Sequence, residues 1–258
     1  MPARANAPLC QWLVPASAAC KASTCAAAAG VFADRGQRAE GDCATRPSEH
    51  RVCPSISKEK EKVTLAAPVT VQGTVENWLT LLLQGVLSTV RLEAYKAYVE
   101  LCDPAFSYFD FIKLAPGQIA LLALQILWTR DSEKAIRNYK YDKSSLQNQH
   151  KIWSEMLIRM IERILDKDMT KLDLKKYETL ITIHLHQKEV FETMTNNKLK
   201  NIQDFDWQKQ MRFYFDDDVE GGQVNCQITD VLFAYQNEYV GTVGRLCITP
   251  LTDRCYTT

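Results

Sequence analysis

Pro116-Gly-Gln-Ile-Ala-Leu-Leu-Ala-Leu-Gln-Ile-Leu-Trp-Thr-Arg-Asp-Ser-Glu-Lys-Ala-Ile136 is the stretch that decides the fold. Proline at a first-turn position opens a helix without losing an intrahelical bond. The apolar residues that follow wrap most of the circumference, so this helix is expected to be buried among neighbours rather than laid on a surface. Its longest apolar run, Ile119 to Trp128, is interrupted by Gln125. That run is too short for a bilayer, which needs about 20 apolar residues.

Working outward, the preceding segment carries a single stripe. Thr74 is placed to cap a helix in which Val75, Trp78, Leu79, Leu82, Leu83, Val86, Leu87 and Val90 recur at i, i+3, i+4, i+7. The spacing predicts a helix to about Leu101, ending before Pro104, followed by an aromatic link from Phe106 to Phe111. On the other side, Ile152, Trp153, Met156, Leu157, Met160, Ile161, Ile164 and Leu165 form another stripe. Leu174, Tyr177, Leu180, Ile181 and Leu185 begin a further one, extended by Val190, Phe191 and Met194 and punctuated by Asn196-Asn197. No repeat of constant length runs through these helices, and a bundle or solenoid arm accommodates them. Trp78, Trp128, Trp153 and Trp207 all sit on or beside apolar stripes and are expected to be buried. His184 and His186 are two apart and point to different helical faces, whereas a helical zinc pair needs i, i+4.

After Asn201 the period changes. Phe205 to Phe215 starts helical and ends aromatic; Asp216-Asp-Asp218 reads as a solvated turn, and Gly221-Gly222 as a flexible one. Val224 to Phe233 alternates toward β structure. The chain continues through Tyr235-Gln-Asn-Glu-Tyr-Val-Gly241 and Gly244-Arg-Leu-Cys-Ile-Thr-Pro-Leu-Thr-Asp-Arg-Cys255. Leu246, Cys247 and Ile248 favour a short buried strand, Pro250 a rigid turn, and Thr252-Asp253 a helix start.

Composition narrows the function classes. Of 258 residues 46% are hydrophobic, formal net charge is zero and the pI is near 6.9, so neither a nucleic-acid nor a membrane-surface partner is expected. The first 62 residues lack a sustained period, have no acidic residue before Asp34, and end in the charge run Ser57-Lys-Glu-Lys-Glu-Lys62. A transit peptide can have that composition, but Pro2, Pro8 and Pro15 interrupt any amphipathic helix, and a disordered leader closed by a solvated linker is the expectation. Nine cysteines, none in C-x-x-C spacing, point to reduced thiols, with Cys102 and Cys247 expected in apolar cores. The chain contains no G-x-x-x-x-G-K-[ST] loop, acidic strand end, nucleophile elbow or metal-ligand set, so catalysis is not expected of it.

Several of these stretches resemble dynein heavy chains, in the same order. Val75-Glu-Asn-Trp-Leu79, the Pro-Gly-Gln … Leu-Trp-Thr-Arg pattern at 116–130 and Ile181-Thr-Ile-His-Leu-His-Gln-Lys-Glu-Val190 resemble the dynein linker, the third most like outer-arm axonemal chains, and Phe-Asp-Trp … Arg-Phe-Tyr-Phe at 205–215 resembles the passage from that linker into the AAA+ ring. Glu238-Tyr-Val-Gly241 and Ile248-Thr-Pro-Leu-Thr-Asp-Arg-Cys-Tyr256 resemble the start of the first AAA+ module. The resemblance, from about Val63 to Thr258, implies a mainly α chain: a helical linker-type bundle or arm with a small β element and the beginning of an α/β AAA+ module. It implies a leader at 1–62, a linker-like region at 63–232 and the start of that module at 233–258. In the family, Ile248, Thr249, Pro250, Leu251 and Thr252 correspond to a loop against the adenine of bound ATP, whose magnesium and phosphates are held by parts further along. The resemblance implies a piece of a microtubule motor of cytoplasm, cytoskeleton and ciliary axoneme, with no nucleotide bound by this piece alone. Its implied partners are the rest of the AAA+ ring, dynein intermediate and light chains, and microtubules. A non-catalytic helical interaction module is the second reading.

Overall fold

The computed structural model of the chain describes residues 51–252 apart from 167, 198, 200, 220 and 250. The first 50 residues of the expected leader lie outside the described residues. Helices dominate, with two small antiparallel sheets. A hairpin of β1 (Arg51–Ile56) and β2 (Lys62–Thr70) comes first. Helices α1 (Val75–Leu101), α2 (Tyr108–Leu114), α3 (Gly117–Asn138), α4 (Ser145–Ile164) and α5 (Lys171–Asn196) follow. A single turn, α6 (Phe205–Gln208), leads into a meander of β3 (Arg212–Asp216), β4 (Gln223–Ile228) and β5 (Val231–Ala234), ordered β3-β4-β5.

Helix α3 is the hub, as its wrap-around apolar pattern predicts. It packs against α1, α4, α5 and β3, and every residue from Gly117 to Thr129 is buried. Pro116 stands one position earlier than expected, as the N-cap with extended ψ, and its carbonyl accepts the first helical bond from Ala120 N. The meander is fastened to the hub by a polar stitch: Phe213 N donates to Thr129 Oγ1 at 2.9 Å, and that hydroxyl donates to Gln125 O. Trp207, fully buried, lies 5.3 Å from Trp128 between ring centroids. Phe215 stacks on Tyr98 of α1 at 4.0 Å. Gly222, at φ +69°, lies so close to Phe215 that a Cβ would collide with the ring, so the Gly221-Gly222 turn is a packing requirement as well as a flexible one.

Several expectations are corrected. The expected leader boundary at 62 falls inside the hairpin, and the charge run 57–62 is not a solvated linker. It forms the hairpin turn, with Ser57 N bonded to Glu61 O at 2.9 Å and Glu61 itself buried. The aromatic link at Phe106–Phe111 is largely helical, because Tyr108, Phe111 and Ile112 reach the core together at i, i+3, i+4. The α1 stripe is buried only in its C-terminal half. Val75, Leu79 and Leu83 are exposed and Trp78 is half-buried, while the buried residues of the helix, Thr89, Val90, Ala94, Ala97 and Leu101, all lie in its later turns. In α4 only Trp153 and Met160 of the expected stripe are buried, while Ile152, Ile161 and Leu165 face outward. Cys102 and Cys247 are exposed, and among the described residues the core thiol is Cys226 on the inward face of β4. The periodicity identifies apolar faces correctly but cannot say how far a neighbour extends along each.

His184 and His186 do face differently, buried and half-buried respectively. The His184 ring meets Trp153 edge-on, and its Nε2 donates to the Trp153 carbonyl at 2.9 Å, leaving Nδ1 as the acceptor of a neutral ring. Burial holds its pKa below the ordinary value of 6.5, the bond to the Trp153 carbonyl opposing that only in part. A histidine depressed in the folded state favours the neutral form, so its stability contribution is intact above about pH 6.5 and erodes as pH falls toward the folded pKa. Urea unfolding at pH 7.5 and 5.5 is therefore expected to show lower stability at 5.5, with at most about 1.4 kcal/mol lost per pH unit from this one group. His184→Gln should flatten that difference. An unchanged difference would place the acid sensitivity elsewhere.

Candidate functional site

Two features converge where the chain leaves β5: a buried polar cluster and the segment 235–249 that it holds. The cluster begins with a helix that has no local cap. Pro116 cannot cap α3 with its side chain, and Gly117 N needs an acceptor. Glu61, 56 residues earlier, supplies one: Gly117 N donates to Glu61 Oε1 at 2.9 Å. A carboxylate at that position also meets the positive end of the helix dipole. Lys176 of α5 lies 3.4 Å from the same oxygen and donates to Ala115 O at 3.0 Å. Both side chains are almost wholly enclosed, 7% and 5% exposed for Lys176 and Glu61. Tyr239 completes the group, donating to Glu61 Oε2 at 3.1 Å. Burial first, then the Glu61 charge, push the Tyr239 phenol well above its ordinary value, so it is a donor at all physiological pH.

Gln118, the next residue of α3, grips the outgoing segment with both ends of its amide. Nε2 donates to Tyr235 Oη at 2.8 Å and to Glu238 O at 2.7 Å, while Oε1 accepts from Val240 N at 2.8 Å and Gly241 N at 3.2 Å. The fit is close. A Cβ at Gly117 would strike Thr242 Oγ1, and one at Gly241, where φ is +68°, would strike Ser57 Cβ. Glycine is the only residue that permits either approach. The hairpin turn, the start of α3, α5 and segment 235–242 thus meet at one packed polar point. The Glu-Tyr-Val-Gly sequence carries a signal in its glycine, but Glu61 and Lys176 give none: in sequence each looks like a surface charge.

Residues 248–252 lie beyond this clamp. Ile248 and Thr252 are half-buried, Thr249 and Leu251 are exposed, and Pro250 lies outside the described residues. The expected strand at Leu246–Ile248 does not form. Leu246 is 81% exposed, and no pairing strand lies beside it among the described residues. The helix start does form, a residue or two earlier than Thr252-Asp253 would place it: Leu251 and Thr252 are helical. Thr249 N donates to Thr252 Oγ1 at 2.8 Å, and Thr252 N lies 3.4 Å from Thr249 Oγ1, the reciprocal hydroxyl pairing of a helix cap. Leu251 is 75% exposed. Among the described residues no cluster of His, Cys, Asp or Glu is arranged to hold a metal, and no helix is long and apolar enough to cross a membrane.

A mainly helical array around one buried helix, closing in a small meander and a clamped outgoing segment, is the class of structure the chain adopts. The chain belongs to the dynein heavy chain family. It is 44% identical over 208 residues to Dynein axonemal heavy chain 5 of Mus musculus, covering 81% of this chain and 4% of that protein. It is 42% identical over 208 residues to Dynein axonemal heavy chain 8 of Homo sapiens, covering 81% and 5%. It is 37% identical over 213 residues to the Dynein gamma chain, flagellar outer arm, of Chlamydomonas reinhardtii, covering 83% and 5%. The chain thus spans only 4% to 5% of the length of these relatives. No protein-family model matches it.

Proposed function

We propose that this chain is the ring-proximal linker of an axonemal dynein heavy chain, a mechanical lever joined to the first strip of the first AAA+ module. Residues 248–252 form the adenine-side wall of the ATP site once the rest of the ring is present. The observation that carries the proposal is the clamp: Gln118 and Glu61 hold segment 235–242 onto the helical hub through side chains and backbone. A segment held in that way lets displacement at a nucleotide loop reach the helices, and the reverse. The partners that follow are the remaining ring, dynein intermediate and light chains, and microtubules, in the cytoskeleton of the cilium.

ATP binds such a site chiefly through phosphates held by amides, a lysine and magnesium. Those parts are not encoded in these 258 residues. This chain alone is therefore expected neither to hydrolyse ATP nor to give a binding isotherm at micromolar ATP. In a longer chain that continues through the Gly-rich phosphate loop and the ring, Leu251→Glu should weaken ATP binding by roughly tenfold, about 1.4 kcal/mol, through lost apolar cover and an added charge. Calorimetry on both chains decides it. Micromolar binding by the 258 residues, or an affinity indifferent to Leu251→Glu, would remove the role given to the loop.

A further inference from the structure

The exposed face of α4 borders a groove that the clamp and the nucleotide loop do not use. Its larger section, about 600 Å³, lies between the end of α1, α2, α3 and the middle of α4. A second section of about 380 Å³ continues it between α2 and the end of α4, with Phe109 and Arg159 lining both. On α4 the lining runs from Ile152 through Met156, Arg159 and Glu162 to Arg163, spaced along one helical face over roughly 16 Å, about three turns. The apolar surface comes from Phe106, Phe109, Met156 and Ile152, the last 52% exposed. Trp153, 1% exposed, is part of the floor, and its indole N–H has no acceptor among the described residues.

The charges are one-sided. Asp103, Asp110, Asp131, Glu155, Glu162 and Asp166 line the groove against Arg130, Arg159 and Arg163. Arg130 pairs with Asp131 at 2.8 Å, Arg163 with Asp166 at 2.9 Å and Lys113 with Asp110 at 2.8 Å, which leaves Asp103, Glu155 and Glu162 against Arg159. Glu155 and Glu162, seven residues apart on α4, are both exposed on the groove side.

We propose that this groove docks a basic amphipathic helix, seating an apolar stripe on Phe106, Phe109, Ile152 and Met156 and placing lysines or arginines against Glu155 and Glu162. Helical walls on both sides and a length of about three turns suit a helix laid in a groove, and no strand borders it that could extend a sheet. The acidic excess sets the sign of the occupant and makes its association salt-dependent.

The test uses the full 258-residue chain and three synthetic peptides of about four turns each. One has leucines at i, i+3, i+4, i+7 with flanking lysines; a second replaces the lysines with glutamates; a third scrambles the first to destroy the stripe. Fluorescence anisotropy should show the lysine peptide binding at least tenfold tighter than either control, and more weakly as salt rises. Glu155→Lys combined with Glu162→Lys should weaken it at least tenfold, and Ile152→Asp should abolish it, with circular dichroism unchanged in both variants. Equal binding of the scrambled or glutamate peptide, or indifference to these substitutions, overturns the proposal. So does a concentration-dependent dimer in sedimentation that Ile152→Asp disperses, because a second copy would then be the occupant.

Discussion

Glu61→Ala should cost about 3–5 kcal/mol, the range found when one partner of a buried ion pair is removed. Three groups lose their acceptor at once: Gly117 N at the start of α3, the Lys176 ammonium and the Tyr239 hydroxyl. Lys176 keeps Ala115 O, 3.0 Å away, but its charge stays buried without a counter-charge from Glu61. Against a total stability of about 5–15 kcal/mol, that loss shifts the urea midpoint far down. Glu61→Gln, which retains an acceptor for Gly117 N, should lose less. Replacing both charges, Glu61→Leu with Lys176→Met, should be less damaging than Glu61→Leu alone, since no charge is then stranded. If Glu61→Ala unfolds within about 1 kcal/mol of the parent, the pair is solvated and the hairpin does not cap α3.

Trp207→Ala is expected to lose a comparable 3–5 kcal/mol. Trp207 is fully buried against Trp128 of α3, and it is the one buried residue of the single-turn α6. Truncation would leave a void between the hub and the approach to β3, where backbone bonds hold the neighbouring residues in place and oppose collapse. The α6–β3 connection should loosen first, so near-ultraviolet dichroism should fall while helical content persists. Trp78→Ala, at a half-buried site on the exposed half of α1, should cost much less. Equal losses at Trp207 and Trp78 would contradict the packing described.

The helices were legible because their signal is local. The run at 116–136 reads as a buried helix since apolar residues wrap most of its circumference, and α3 is the hub. The stripes of α1, α4 and α5 announce amphipathic helices for the same reason. Their depth of burial was not legible: Val75, Leu79, Ile152 and Ile161 look like Val90 and Trp153, and only the reach of the neighbouring element separates them. The hairpin was missed because β1 lies across Cys53-Pro54, where proline argues against a strand, and the register shifts there to accommodate it. Ser57 to Lys62 looked solvated because alternating charge in sequence does not reveal that Glu61 is aimed at a helix start 56 residues away. Leu246 to Ile248 has strand composition but no partner strand beside it among the described residues, and strand propensity expresses itself only through pairing. For the site, the glycines and tyrosines of 235–241 were visible and the polar side chains that hold them were not.

Segment 235–242 and the helical hub are held together as one unit at Gln118 and Glu61. Hydrogen exchange at two amides tests it most directly. Val240 N and Gly241 N donate to Gln118 Oε1, at 2.8 and 3.2 Å. They should be protected in the parent chain and open together with the start of α3 rather than as a frayed tail. Gln118→Ala should speed exchange at both by roughly tenfold or more, about 1.4 kcal/mol for each tenfold, while the amides of α4 and α5 keep their protection. Unprotected exchange at Val240 and Gly241 in the parent chain, or rates indifferent to Gln118→Ala, would contradict the account.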